Sequence, residues 1–386
     1  MKSNVRVLVL NTGTQALAIV HALNIAGYKV YLFCEQRSNY AGVSRFVDKR
    51  ICAKVSLKYD ESLSALIEVI NSEKIDVVIP MGDVAAEFLS KHKSELEPIV
   101  KFQSPDYKDF LYGYDKNRLM RLCNEKGYPH PLTLDMSSTE IDSEVVRKFP
   151  YPALLKPNLT TGGRGMVRVD SHNALKEQYP ALHEEYGDYH LQQFVAPGGR
   201  QVKVQLYINE DMTLRAATMI EKRRWYPVSG GSNCCAVSVY DQATIDLCHN
   251  VLKDLNWLGF ADFDMIEDPA THQLLIMEIN PRVPACIKSP IAAGVNWAQV
   301  IVEGALNRPA TEFDYKQGVV LRHLGLDVLW FLQSPERWRS KPRWFRFFGN
   351  NVHYQDMSGW SDPLPFICGT WRNVKQVLSG HGKGKV

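Results

Sequence analysis

Hydrophobic positions in the first hundred residues fall in short, dense runs. Val5–Leu10 is one, ended by Asn11, and Val30–Phe33 and Ile75–Pro80 repeat it. Between them, Ala16–Ile25 and Ser62–Ile70 space their apolar residues at helical intervals. Strands alternating with helices predict a parallel, doubly wound sheet. The first turn, Asn11-Thr12-Gly13-Thr14-Gln15, holds one glycine. A dinucleotide-binding turn uses three, so that the backbone can approach a pyrophosphate. This unit therefore reads as structural, without NAD.

A second unit begins near Ser104-Pro105. Asp115–Lys126 predicts a helix that ends at Gly127, with Pro129 and Pro131 as stop signals. Strand-like alternation returns at Ala153–Lys156, Val167–Val169, Val202–Ile208, Ala216–Ile220 and Ala236–Tyr240. Phe260–Ile266 and Leu274–Ile279 flank the turn Glu267-Asp268-Pro269-Ala270-Thr271 and predict an antiparallel hairpin. From about Thr311 the chain turns aromatic and basic, with Trp330, Trp338, Trp344, Trp360 and Trp371 in this last stretch. The expected organisation is a Rossmann-like α/β domain over 1–105, an α+β domain over 106–310 and a small extension over 311–386. No internal repeat is evident.

Composition narrows the class. At about 150 residues per domain, 386 residues predict two to three domains. With 45% hydrophobic and 23% charged residues, the chain is not disordered, collagen-like or a disulfide scaffold. A net charge of +3, from 45 basic and 42 acidic residues, gives no electrostatic case for a dedicated nucleic-acid binder. The eight cysteines contain no C-x-x-C pair, which predicts reduced thiols in a cytoplasmic protein. The first apolar run is too short for a signal-peptide core, and no stretch approaches the roughly 18 apolar residues of a membrane span.

Four stretches carry candidate chemistry. Leu155-Lys156-Pro157 ends a strand on lysine, and Thr160-Thr161-Gly162-Gly163-Arg164-Gly165-Met166 follows as a glycine-rich turn. Glycine lets backbone N–H groups close on phosphate oxygens, and lysine adds a point charge. The lysine precedes the glycines and no Gly-Lys-Ser/Thr follows, so this is not a P-loop. An ordinary glycine-rich hairpin is the competing reading. Asp264, Glu278 and Asn280 form a second set. Period-2 alternation puts Glu278 and Asn280 on one face, and Asp264 joins them across the hairpin. Two carboxylates and an amide carbonyl suit Mg2+. A solvated hairpin face is disfavoured, because an unpaired carboxylate inside Leu274–Ile279 is costly. Arg282 then sits beside metal-bound phosphates or pairs with Glu278. Gln192-Gln193-Phe194-Val195 lies between two predicted strands, as a linker for an adenine edge or as core. Lys116 opens its helix where the dipole favours anions, or is a plain exposed lysine.

Other signals stay open. Lys222-Arg223-Arg224-Trp225 with Ser229–Asn233 is a carboxylate pocket or a solvated basic turn. Arg337, Arg339, Lys341, Arg343 and Arg346 interleave with Trp338 and Trp344. That pattern suits an anionic polymer, a membrane surface, or a cover whose aromatics pack while its charges stay wet. Cys234-Cys235 reads as packing, and no histidine arrangement supports a catalytic dyad or a zinc site.

Taken in order, Asp115-Lys116, Lys156, Gly162-Gly163-Arg164-Gly165, Gln192–Val195, Asp264 and Glu278-Ile279-Asn280-Pro281-Arg282 resemble the ATP-grasp superfamily. The likeness spans roughly Asp115 to Gly294. It is greatest to carboxylate–amine ligases of the carbamoyl-phosphate-synthase-like and D-aspartate-ligase-like kinds. It implies an ATP-grasp fold of two α+β subdomains behind the Rossmann-like domain, holding ATP between them. Lys116 and Lys156 would meet the α- and β-phosphates, and Gly162–Gly165 would close over the phosphates. Phe194 and Val195 would offer backbone groups to adenine. Asp264, Glu278 and Asn280 would hold two Mg2+, with Mn2+ as the substitute ion. Arg282 would stabilise charge on the transferring phosphoryl group. The implied activity is amide or peptide bond formation from a carboxylate and an amine through an acyl phosphate, releasing ADP and phosphate. An acyl-phosphate-forming enzyme of the carbamoyl-phosphate type and a non-catalytic ATP-binding sensor or assembly protein are the alternatives. A homodimer is the implied assembly. The family's acidic hinge and ribose positions are Gln192 and Gln201 here, neutral acceptors that leave base selectivity looser.

Overall fold

The computed structural model describes residues 3–10, 13–34, 40–52, 56–159, 164–228, 230–355, 357, 359, 361–369 and 371. The chain divides into two compact units. One comprises Met1–Phe110, Lys203–Asp262 and Asn280–Val386, and the other Leu111–Val202 and Phe263–Ile279.

In the first unit, strands β1 (Arg6–Leu10), β2 (Lys29–Cys34), β3 (Lys49–Cys52) and β4 (Val77–Pro80) form a parallel sheet in the order β3-β2-β1-β4. Strands β1, β2 and β4 are buried on both faces, which is why they read as unbroken apolar runs. Val7, Val9, Val30 and Leu32 pack on the helix Thr14–Ile25 and on the helix Trp297–Ala305. Leu8, Leu10 and Phe33 face Leu66, Ile70, Phe88 and Leu89 on the opposite side. The predicted parallel sheet is therefore present. Strand β3, Lys-Arg-Ile-Cys at the sheet edge, carries no apolar run and was not expected. Of the first turn, Asn11 and Thr12 lie outside the described residues. The Gln15 amide donates to the Met81 carbonyl (3.1 Å), tying this turn to the end of β4.

The second unit holds the antiparallel sheet of β5 (Thr133–Asp135), β6 (Ala153–Pro157), β7 (Val167–Val169) and β8 (Tyr189–Gln193), ordered β5-β8-β6-β7. Its two faces differ. Ala153, Leu155, Val169, Tyr189 and Leu191 join an apolar core with Leu175 of the helix His172–Tyr186. Thr133, Asp135, Lys156, His190 and Gln192 alternate with them and give the other face a polar character. The helix Lys116–Lys126 stands where the sequence predicts it. The Asp115 carboxylate caps it, accepting from the Asn117 and Arg118 N–H groups (3.0 and 3.2 Å). Gly127 ends it at φ 73°.

The remaining strands are β9 (Gln201–Ile208), β10 (Leu214–Tyr226), β11 (Ser232–Val239), β12 (Gly259–Glu267), β13 (Leu274–Asn280), β14 (Val320–Arg322) and β15 (Val352–Tyr354). They form one sheet in the order β13-β12-β9-β10-β11-β14-β15. The expected hairpin is β12–β13, its turn closed by the Asp268 N–H on the Gln273 carbonyl (2.9 Å). Strand β10 is longer than its apolar core, so Lys222–Trp225 is strand rather than a solvated turn. A bulge around Arg224 turns that side chain inward, fully buried on Asp327 (2.6 Å). Ser229 and Trp360 lie outside the described residues.

Candidate functional site

The polar face of the β5-β8-β6-β7 sheet carries two of the predicted phosphate and base residues, Lys156 and Gln192. Lys156 lies opposite His190 in the β6–β8 ladder, two pairs along from Gln192. Its ammonium donates to the Gln192 side-chain carbonyl (2.6 Å), and the Gln192 amide donates to the Thr133 hydroxyl (3.1 Å). Burial pushes the Lys156 pKa down to about 8, the Glu278 carboxylate opposes that shift, and the Lys116 charge adds to it. Lys116, the first residue of its helix, gives its backbone N–H to the Asn158 carbonyl (3.3 Å). Its ammonium lies 3.9 Å from the Glu278 carboxylate. Two ammonium groups thus share the influence of one partly exposed carboxylate, an arrangement that favours an anion.

His190 completes this face and had not been singled out from sequence. It is fully buried, with Nδ1 2.8 Å from the Asn158 side-chain oxygen. That contact makes Nδ1 the protonated nitrogen, and Nε2 has no partner among the described residues. Burial, then the charges of Lys156 and Lys116, hold the imidazole neutral, well below its ordinary pKa.

The glycine loop is described only in part. Thr160, Thr161, Gly162 and Gly163 lie outside the described residues, while Arg164 and Gly165 form the turn into β7. At Gly165 φ is 71°, and a Cβ there would stand 2.8 Å from Pro157 and 3.0 Å from the Tyr186 ring, so the turn requires glycine. The linker shifts from its expected position. Gln192 and Gln193 belong to β8, with Gln192 buried against Lys156, and only Phe194 and Val195 follow the strand. The Arg168 guanidinium lies over the Phe194 ring at 4.7 Å. Gln201 opens β9.

Asp264 and Glu278 are both half-buried residues of the second unit. Among the described residues no three His, Cys, Asp or Glu side chains gather into a metal-holding group. The ligand set expected from sequence is two carboxylates and an amide. Such an all-oxygen set is too small to fill six positions alone. It fits Mg2+, which keeps waters and phosphate oxygens in its shell, and does not fit zinc.

Asn280 and Arg282 belong to the first unit. The Asn280 amide meets the backbone carbonyl and carboxylate of Asp262, each at 3.3 Å. Asp262 is fully buried and receives Lys203 (2.7 Å) and Gln205 (2.8 Å). The Gln205 carbonyl accepts from Thr218 (3.0 Å), whose hydroxyl in turn accepts from the Trp297 indole (3.1 Å). This chain, also missed from sequence, fixes the end of β13. Arg282 forms an ion pair with Asp83 (2.9 Å).

No protein-family profile matches the chain. Among characterised proteins it is similar to the D-aspartate ligase of Enterococcus faecium, at 25% identity over 260 residues, 62% of this chain and 61% of that one. It is also similar to the C-terminal section of the carbamoyl phosphate synthase large chain of Methanopyrus kandleri, at 23% identity over 296 residues, 71% of this chain and 52% of that one. The match thus spans roughly half to three-fifths of these relatives. Among solved structures, the biotin carboxylase domain of Hydrogenobacter thermophilus 2-oxoglutarate carboxylase superposes with a TM-score of 0.66 at 16% identity, over 82% of this chain and 73% of that one. The chain has the ATP-grasp fold. Within this fold, Lys116, Lys156 and Gln192 lie together in the second unit, and the Asp264–Arg282 stretch passes from that unit into the first.

Proposed function

We propose that the protein is an ATP-dependent carboxylate–amine ligase. The observation that carries this reading is the polar sheet face, where a half-buried Lys156 and the helix-opening Lys116 both lie under the influence of the Glu278 carboxylate. Desolvated ammonium groups gain most from a polyphosphate, because its charge replaces the hydration they have lost. The described relatives named D-aspartate ligase and carbamoyl phosphate synthase support the same class.

In this reading Lys156 and Lys116 bind the α- and β-phosphates, and residues Gly162 to Gly165 cover them. Phe194 and Val195 hold the adenine through backbone groups. Asp264, Glu278 and Asn280 would hold Mg2+, two ions with Mn2+ as a substitute, and the metal would neutralise the triphosphate and orient its γ-phosphoryl group. A substrate carboxylate oxygen attacks the γ-phosphorus; the new P–O bond forms as the bond to the β-phosphate oxygen breaks, and ADP leaves. An amine then attacks the acyl carbon, the C–O bond to phosphate breaks, and the amine releases a proton. Arg282 stabilises the negative charge that develops in both steps. Gln192 fixes the Lys156 ammonium rather than carrying charge to the base, so discrimination of adenine from guanine is modest.

The test is turnover. The protein is incubated with Mg-ATP and pools of carboxylates, with and without amines, and ADP and hydroxylamine-trapped acyl phosphate are measured. Amine-stimulated ADP release with hydroxamate formation supports a ligase. ADP release indifferent to amine makes it an acyl-phosphate-forming enzyme instead. Tight ATP binding without ADP from any pool makes it a nucleotide sensor.

A further inference from the structure

The aromatic, basic stretch at 324–348 is unused by the proposed chemistry, and it has two contrasting sides. Its inner side is pinned. Asp327 is buried between Arg224 and Arg322, each 2.6 Å away. The same guanidinium groups donate onward to the Pro342 carbonyl (2.8 Å) and the Arg346 carbonyl (3.0 Å). Arg224 lies over the Trp330 ring at 5.2 Å, and Arg322 over the Phe347 ring at 4.3 Å. The Trp344 indole donates to the Asp327 carbonyl (3.0 Å). The backbone is thereby held at the end of β10 and β14.

The outer side leaves large apolar groups in water. Trp338 is 70% exposed, Phe345 60%, Phe348 91% and Leu332 63%. A chain free to collapse would bury them. Here Trp338 and Phe345 pack on one another and on Phe331 (ring centroids 5.8, 5.3 and 5.7 Å) while staying largely exposed, and an exposed apolar patch marks an interaction surface. Arg337, Arg339, Lys341, Arg343 and Arg346 are interleaved with these residues, and none forms an ion pair among the described residues. Glu336 is the one acidic residue between Ser334 and Phe348.

We propose that this surface docks the protein on an anionic lipid bilayer. Aromatic rings at headgroup depth, flanked by arginine and lysine whose stems lie along apolar surface, are the composition of an interfacial anchor. The charge pattern selects this occupant over a second copy of the chain, because a two-fold interface would oppose like charges. Among the described residues no helix is long and apolar enough to cross a membrane, so the contact is peripheral.

The test uses the full chain and sedimentation with vesicles of phosphatidylcholine alone or mixed with phosphatidylglycerol. The expected result is binding to the anionic vesicles only, lost at high salt, with Trp338 fluorescence quenched by brominated acyl chains; Trp338→Phe supplies the blank. Each cation brought to such a surface contributes roughly fivefold in partitioning. Arg339→Gln with Arg343→Gln should therefore lower binding by more than about tenfold. Phe348→Ser with Leu332→Gln, both at exposed positions, should abolish the quenching without changing the melting temperature. Absence of binding to anionic vesicles at low salt would overturn the proposal. So would equal binding to neutral vesicles, or a solution dimer that the Phe348→Ser variant dissolves.

Discussion

At the scale of single residues, Lys156 gives the site its most distinctive physical property. An ammonium with a pKa lowered to about 8 is already losing its proton in mildly alkaline solution, whereas beside a polyphosphate it is held charged. Above that pH, ATP binding should therefore take up a proton. Titration calorimetry in two buffers of different ionisation enthalpy measures the uptake, which is expected to be absent below about pH 7 and in Lys156→Met. The same variant should bind ATP at least roughly tenfold more weakly. Stability shifts in the opposite sense. Burial disfavours the charged form in the folded protein, so between pH 8 and 10.5 the unfolded chain binds more protons and stability rises with pH. Lys156→Met should accordingly melt at a higher temperature at neutral pH, with the gain shrinking as pH rises. Glu278 provides a complementary case: Glu278→Gln should leave the fold intact and lower kcat by roughly a hundredfold or more. Undiminished turnover would remove Glu278 from the metal set.

At the scale of elements, legibility follows burial. Strands β1, β2 and β4 are apolar on both faces, so their runs stand out in sequence. The helix Lys116–Lys126 stands out through its ends, Asp115 and Gly127. Strands β5 and β8 were missed because one face of each is the polar site face, which breaks the apolar alternation: Tyr-His-Leu-Gln-Gln does not look like a strand. The order of the proposed phosphate and metal motifs follows the chain, which is where a sequence can show it. The Lys156–Gln192 bond, the buried His190 and the Asp262 network join residues far apart in sequence, and no local pattern encodes them. The caps of the Lys116 helix can be weighed separately. Gly127→Ala meets no neighbour, so its cost is backbone strain of about 1 kcal/mol. Asp115→Ala removes two hydrogen bonds at the other end, at a similar cost of about 1 kcal/mol. Urea unfolding should show near-equal losses for the two, whereas ATP binding should suffer mainly in Asp115→Ala, which loosens the turn bearing Lys116.

At the scale of the whole molecule, the net charge of +3 conceals where charge matters. The Asp262–Lys203 pair, like Asp327 with Arg224 and Arg322, is buried in the first unit. Asp262→Asn would remove a buried counter-charge 2.7 Å from the Lys203 ammonium, and thermal unfolding should register a loss of about 3 kcal/mol. In the proposed reading Lys116 and Lys156 of the second unit meet an anionic ligand, and the basic extension faces outward. The central claim is that a carboxylate and ATP meet through an acyl phosphate, and oxygen tracing tests it most directly. The carboxylate that supports ADP release is labelled with 18O and supplied with Mg-ATP and amine, and the released phosphate is analysed by mass spectrometry. The account predicts one carboxylate oxygen in the phosphate for each amide formed. Phosphate released without the label would contradict it.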